Sequence, residues 1–330
     1  MQLEREKELE AESFIQTNVS LADKNWFRTG GKAAYWAAPK TALQMKKVMA
    51  FAFDRGLPYF MLGSGANILI SDKGFGGLVI CPRLHEIFHQ PIDGNKVLLT
   101  AGAGVTLNDL IVYSLHNSLS GLEEFSGIPG TVGGAVFINL HYFEYLLSDF
   151  LVSARVLHVN TQEISTVDTA WFSFGYNSSK LHDRDYILLD ATFCVAMVNE
   201  QKISYAWGRR DEIIRHRAKR YPTQSTCGSF FRNFYENEVS LEVHGKKVIW
   251  VAYYLDRVGV KGDLSVGNAS VSHQHANMIV NKGDATAADI VILAREMQKR
   301  VWDQFRLLPQ PECQLVGFSE YPLLKEEDVL

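Results

Sequence analysis

The segments of this chain with the clearest chemical potential are three runs of small residues. "MLGSGANILISD" (61–72) sets Gly63 and Gly65 around Ser64 at the end of an expected strand. Glycine reaches positive φ without steric cost, and successive N–H groups can then converge on an anion such as a pyrophosphate. "SGIPGTVGGAVFIN" (126–139) adds Pro129, which stiffens a turn, and Gly133 and Gly134, which clear side chains where something flat or bulky passes close to the main chain. "TAGAGVTLNDL" (100–110) places Ala101 to Gly104 ahead of an expected helix N-terminus, where free N–H groups and the helix dipole favour an anion. Taken singly, the first and third read equally well as a tight turn and a small-residue strand exit. The fingerprint G-x-G-x-x-G is absent, so a Rossmann site is not indicated.

Other groups carry weaker signals. His273 and His275 stand two apart, as metal ligands on a strand can, but no cysteine pair or carboxylate cluster accompanies them, and no metal is expected. The stretch Arg209 to Arg220, "RRDEIIRHRAKR", offers charge for phosphates, against a plainer reading as a solvated helix face. Lys plus Arg number 33 against 37 Asp plus Glu, a net charge of -4, so no basic field exists to hold nucleic acid or an anionic membrane. The four cysteines, Cys81, Cys194, Cys227 and Cys313, are scattered, which argues against a zinc site or a disulfide framework. The start lacks the apolar core of a secretory signal, and "AVFINLHYFEYLLSDFLV" is broken by Asn139, His141, Glu144 and Asp149, so a soluble cytoplasmic protein with no membrane span is expected.

The elements that must position these residues alternate between helix and strand. Met45, Val48, Met49, Ala52 and Phe53 share one face at helical spacing, and "VTLNDLIVYSLHNSL" predicts a helix opened by Thr106 with Asp109 three residues on. "YFML", "NILI", "GLVIC", "KVLLTAG", "LVSARVLHV" and the long run "DYILLDATFCVAMV" read as strands. Beyond a boundary near 200, helices are expected over "KVIWVAYYLDRVG" and around Ile290, Leu293, Met297, Val301 and Phe305, with a last strand at "CQLVGF". These elements place one domain boundary near 200.

In order along the chain, "NWFRTGG", "LGSGANILISDKGFGGLVI", "AGAGVTL", "GLEEFSGIPGTVGGAV", "FGY", "CGSFFRN", "SVGNASVSHQHANMIVNKGDATAADI" and "PQPECQLVGF" resemble the UDP-N-acetylenolpyruvoylglucosamine reductases, the flavoenzymes that complete UDP-N-acetylmuramic acid for peptidoglycan. The resemblance runs from about residue 20 to residue 318. It implies an α+β protein: an FAD-binding fold of the vanillyl-alcohol-oxidase (PCMH) type in two subdomains, then a smaller substrate-binding domain. It also implies the rest of the organisation, an extension at 1–18, a domain at 19–200 in two parts (about 19–80 and 81–200), a second domain at 201–318 and a tail at 319–330. It implies FAD as cofactor, NADPH as co-substrate and a UDP-sugar substrate, with a monomer expected. In the family reaction NADPH reduces FAD, hydride reaches C3 of an enolpyruvyl ether, and C2 must then be protonated while charge develops on the carboxylate.

By the same resemblance, Gly63, Ser64, Gly65, Ala66 and Asn67 wrap the FAD pyrophosphate, and Ile128, Gly130, Thr131, Gly133 and Gly134 run along the flavin and its ribityl chain. Arg28 in "FRTGG" sits near the same cofactor. Ser229 takes the place of the proton donor, Glu312 that of the acid that polarises the enolpyruvyl group, and Tyr176 and Asn233 fall at substrate positions. His275 matches a histidine at the edge of the flavin pocket.

Two departures stand out. Where the family reads Phe, Gly, Tyr, Arg, this chain reads "FGYN", so Asn177 fills the slot of an arginine that pins the substrate carboxylate. Lys180 and Arg184 are the nearest cations in sequence. "NLHYFEY" (139–145) replaces a phrase of small residues with the bulkier His141, Tyr142 and Phe143. Ser229 and Glu312 favour the family reaction; the departures favour a paralogue with another substrate, or a catalytically impaired flavin- or ligand-binding protein.

Overall fold

The structure is a computed structural model and describes residues 14–329. Of the extension expected at 1–18, residues 1–13 lie outside the described residues, and Ile15–Ser20 form a strand. The chain divides into two compact units that interleave in sequence. Among the described residues the first takes those up to Thr17 with Tyr35–Ser64 and Gly77–Arg217, and the second takes Asn18–Ala34, Gly65–Gly76 and those from Ala218 onward.

In the first unit an antiparallel sheet runs in the order Ile164–Asp168, Leu151–His158, Tyr186–Met197, Lys96–Gly102, Ile87–Pro91. Tyr186–Met197 lies at its middle, and its long apolar run leaves Ile187 to Ala191 all buried. The helix Leu107–His116 packs Leu107, Leu110, Ile111 and Leu115 into the same core as Val97, Leu99, Ala191 and Phe193. Its cap is the expected one, with the Thr106 hydroxyl accepting from the Asp109 N–H at 3.0 Å. A second core forms where the helix Ala42–Asp54 lays Met45, Val48, Met49 and Ala52 against Leu78, Ile80 and Leu157. Phe53, expected on that face, is 70% exposed; Phe51 turns inward in its place and meets Tyr35 edge-on. Tyr59–Met61 pairs in parallel with the end of Phe75–Ile80, Tyr59 opposite Leu78.

The second unit centres on an antiparallel sheet of Ser265–Val266, Ala269–Val271 and Ile279–Asn281. The helix Ala287–Phe305 covers it with Ile290, Leu293, Met297 and Val301, all fully buried. Residues from early in the chain complete this unit. Ile68–Ile70 pairs in parallel with Gln314–Val316. The Asp72 carboxylate accepts from the N–H groups of Ala287 (2.8 Å) and Ala288 (2.9 Å), satisfying donors at the helix N-terminus that have no intrahelical partner. Asn281 donates from Nδ2 to the Phe27 carbonyl (2.8 Å) while its Oδ1 accepts from Gly283 and Ala285. The helix expected over "KVIWVAYYLDRVG" is confined to Val251–Arg257, because Lys246–Lys247 pairs with Glu242–Val243 in a hairpin.

The basic stretch lies on the helix Glu200–Arg220, where only Ala206 and Ile213 are buried. Arg209 grips Glu124 with two bonds of 2.9 Å, and Arg210 reaches Asn108 at 2.9 Å. No helix among the described residues is long and apolar enough to cross a membrane.

Candidate active site

Gly63 and the segments 100–110 and 126–139, separated in sequence, meet within the first unit. Val132 and Gly133 donate to the carbonyls of Val105 (2.8 Å) and Ala103 (2.9 Å), and Leu107 donates to Gly130 at 3.0 Å. A Cβ on Gly63 would stand 2.6 Å from Thr131 Oγ1, and one on Gly133 would stand 3.0 Å from the Ala103 oxygen. What passes close to Gly133 is therefore the chain's own strand exit, which accounts for that glycine without an external body. Residues 132–137 wind into a short helix, and the Thr131 hydroxyl caps it by accepting from the Gly134 N–H at 3.2 Å. The open feature is the loop itself: from Gly63 to Asn67 no N–H has a protein acceptor among the described residues. Buried or half-buried N–H groups left in a row are donors shaped for an anion.

The "FGYN" phrase, also in the first unit, forms a tight turn. Gly175 and Ser178 exchange both backbone hydrogen bonds (3.1 and 3.4 Å), which leaves Tyr176 and Asn177 at its tip. Asn177 has φ 53°, in the left-handed region where Asn is among the best-tolerated side chains. Its Nδ2 is buried with no partner. Lys180 sets its ammonium 4.7 Å from the Trp171 ring centre, and Arg184 is exposed at the end of a 3-10 turn. The hairpin of "NLHYFEY" lies alongside: Asn139 Nδ2 donates to the Gly175 carbonyl (3.5 Å), and the His141 ring stands 5.3 Å from that of Tyr176. Of its bulky residues, Tyr142 joins the core and Phe143 points to solvent.

In the second unit the start of the "NWFRTGG" strip packs on Gly65, whose carbonyl accepts from the Trp26 N–H at 3.0 Å. Gly65 leaves 2.6 Å between a would-be Cβ and the Asn25 Cα, and Asn25 Nδ2 bridges the carbonyls of Leu21 (2.7 Å) and Thr29 (2.8 Å). Three buried polar atoms here have no partner: Asn25 Oδ1, Thr29 Oγ1 and Asn67 Oδ1. Such atoms are costly unless a ligand or water meets them. Arg28, next to Thr29, is exposed, with φ 57°.

Ser229 and Glu312, far apart in sequence, are neighbours in the second unit. Ser229 pairs with Met278 and Phe231 with Pro311 as isolated bridges, and Glu312 N–H donates to the Phe230 carbonyl at 2.8 Å. The Asn277 carboxamide fixes the stretch from the other side, accepting from Phe231 N–H (3.0 Å) and donating to Phe231 O (2.7 Å), while its own carbonyl accepts from Phe230 N–H (2.8 Å). Gly228, at φ 80°, turns the chain just before Ser229. Asn233 spends its Oδ1 on Val251 N–H (3.3 Å) and keeps its NH2 for another acceptor. Cys227 and Cys313 flank the pair and are buried; burial, then the bond to Cys313, pushes the Cys227 thiol up, so it packs as a small apolar group.

Burial, then the nearby Arg220 and Lys261, pushes the His275 imidazole down to about 4, so it is neutral, and its Nδ1 accepts from Asn277 N–H at 3.3 Å. His273 is exposed, and no group of three or more metal-ligating side chains exists among the described residues. Asn25 and Asn277 were not among the residues the sequence pointed to; "HANMIVN" held Asn277 in view, but nothing in it marks a carboxamide that faces a distant backbone.

The family model described as "FAD binding domain" matches residues 33–167, and that described as "UDP-N-acetylenolpyruvoylglucosamine reductase, C-terminal domain" matches residues 220–316. The UDP-N-acetylenolpyruvoylglucosamine reductase of Caldicellulosiruptor bescii is 32% identical over 302 residues, 92% of this chain and 90% of the relative. The chain belongs to the UDP-N-acetylenolpyruvoylglucosamine reductase family. The enzyme of that name from a Synechococcus species is 32% identical over 319 residues, covering 94% of each chain. The crystal structure of the UDP-N-acetylenolpyruvylglucosamine reductase of Thermus caldophilus superposes with a TM-score of 0.72 at 27% identity, covering 92% of this chain and 100% of that one. The expected α+β architecture, an FAD-binding domain followed by a C-terminal reductase domain, is borne out. The residues present fit FAD: the row of unpartnered N–H groups at 63–67 suits a pyrophosphate, and the three orphaned polar atoms beside it await a polar ligand.

Proposed function

We propose that this chain is an FAD-dependent, NADPH-consuming reductase that converts UDP-N-acetylenolpyruvoylglucosamine to UDP-N-acetylmuramate, in the cytoplasm, for peptidoglycan synthesis. The observation that carries the reading is the Glu312 N–H bond to the Phe230 carbonyl, which brings the segments that carry an acid and a serine side by side in a chain of this family. Bound FAD supplies the relay of hydride from NADPH to C3 of the enolpyruvyl ether. The chain's own residues do the rest. The N–H groups of 63–67, with Thr29 and Asn67, hold the cofactor's phosphates and polar edges, with Arg28 at hand. Ile128, Gly130, Thr131, Gly133 and Gly134 give the cofactor a wall of main chain and small side chains. Ser229 delivers a proton to C2, its hydroxyl having no protein partner among the described residues to compete for it, and Glu312 polarises the enolpyruvyl group. Tyr176 and the NH2 of Asn233 orient the substrate, and Asn177 meets its carboxylate as a neutral donor.

The test is a purified sample with its flavin spectrum recorded and NADPH oxidation followed with and without the enolpyruvyl substrate. Ser229→Ala should leave flavin reduction by NADPH intact and slow reoxidation by substrate about 10²- to 10⁴-fold, the usual worth of general acid catalysis. Turnover indifferent to that substitution would remove Ser229 from its role, and a sample with no substrate-dependent oxidation would remove the activity itself.

A further inference from the structure

The "FGYN" turn carries no cation of its own, and His141 lies beside it. Asn177 offers a buried, unpartnered Nδ2 but no charge. Lys180 is engaged with the faces of Trp171 (4.7 Å) and Tyr186 (5.9 Å), and Arg184 is exposed with its carbonyl held by the Tyr59 hydroxyl at 2.5 Å. The hairpin of His141–Tyr142 and Tyr145–Leu146 is tied to the turn by Asn139, whose Nδ2 reaches Gly175 O (3.5 Å) while its Oδ1 accepts from Ser148 N–H (3.3 Å). Asn139 itself has φ 47°, so the chain accepts an uncommon conformation to make this tie. The hairpin then leaves His141 half-buried, its ring 5.3 Å from Tyr176 and tilted 44°.

The groups around His141 are few. Glu144 is exposed at the hairpin tip, Tyr145 and Leu146 lie on the facing strand, and Tyr176 lies on the turn. From the helix Glu200–Arg220, Arg217 sets its guanidinium 5.3 Å over Tyr142 and its Nε on the Gly127 carbonyl (3.1 Å). Burial lowers the proton affinity of His141, which disfavours its charged form while no anion is beside it. A carboxylate beside it reverses that preference, because opposite charge at contact range favours the protonated form.

We propose that His141 binds the substrate carboxylate as an imidazolium, taking up its proton on binding, with Asn177 Nδ2 as the neutral second donor. This rests on the reading that the substrate is an enolpyruvyl ether. Binding is then tightest at acid pH and weakens as pH rises through the raised, ligand-bound value of His141.

Calorimetry in buffers of different ionisation enthalpy tests it, with UDP-N-acetylenolpyruvoylglucosamine set against UDP-N-acetylglucosamine, which lacks the carboxylate. The enolpyruvyl ligand should bind with uptake of up to about one proton, by linkage, and the control with none. His141→Gln should bind the control as the parent does, which also shows that it is folded. It should lose the proton uptake and bind the enolpyruvyl ligand at least about tenfold more weakly, since a charged bond is worth some 1.5 to 3 kcal/mol. Adding Asn177→Arg to His141→Gln should restore affinity without restoring uptake. Tight binding of the enolpyruvyl ligand with no proton uptake, or uptake that survives His141→Gln, would overturn the role of His141 alone. Binding of neither ligand would sink the substrate reading and this inference with it.

Discussion

Asn177 answers to its backbone before it answers to any ligand. At φ 53° an Asn is tolerated, whereas an ordinary L side chain in the left-handed region costs roughly 1–2 kcal/mol. Asn177→Arg on its own should therefore lower the melting temperature by a few degrees, and Asn177→Gly should not; equal melting curves for the two would show that the turn relaxes. His275 gives a pH-dependent counterpart. Its imidazole binds a proton near 6.5 when unfolded but only near 4 in the fold, so the unfolded state holds more protons in between. Stability present above pH 6.5 should thus drain away as pH falls toward 4, and more steeply than in His275→Gln; parallel slopes for the two would remove the effect. The departure at 177 was visible in the sequence as a residue type. Its cause was not, because the φ is imposed by the pairing of Gly175 with Ser178. Asn277 was opaque for a related reason: its carboxamide satisfies a backbone 46 residues away, and a single sequence carries no trace of that.

At the scale of the element, the long periodic runs were the legible part. The stripe Ile290, Leu293, Met297, Val301 is a helix face in sequence and in the fold, and "KVLLTAG" is a strand at the bounds Lys96–Gly102. Residues 132–137 were illegible as a helix, since two glycines in six residues weaken any local preference and the bonds to the distant Ala103 and Val105 help hold the turn in place. Asp72 illustrates a cap that no local pattern could reveal, lying 215 residues from the N–H it accepts. Asp72→Ala should cost about 1–2 kcal/mol, the range for a lost N-cap acceptor, read as a lower denaturant midpoint with an unchanged slope. The Thr286 hydroxyl also accepts from the Asp289 N–H (3.0 Å) and the Asp289 carboxylate from the Thr286 N–H (2.9 Å), and a loss within a few tenths would mean that this pair suffices to cap the helix.

At the scale of the whole molecule, the second unit cannot be cut out as a contiguous piece. A fragment of residues 201–330 lacks Ile68–Ile70, the Asp72 carboxylate and the Phe27 carbonyl that receives Asn281, and it keeps a core opened at Phe27 and Leu69. It should give a poorly dispersed amide spectrum and no cooperative melt, and a sharp two-state melt would refute this. Alternation made a mixture of helix and strand readable and the family resemblance supplied the α+β class, but which early strips belong with which late ones depends on long-range pairing that alternation does not encode. The interleaving also bears on synthesis. Asn18–Ala34 and Gly65–Gly76 leave the ribosome well before Ala218, and at 5–20 residues per second Ile68–Ile70 waits roughly 10–50 s for its partner Gln314–Val316. Through that interval Ile68, Leu69 and Ile70 form an apolar run with no strand to join. The newborn chain should therefore lean on chaperones until its last strand is made, and faults near its C-terminus should surface as aggregation rather than as a tidy truncated domain.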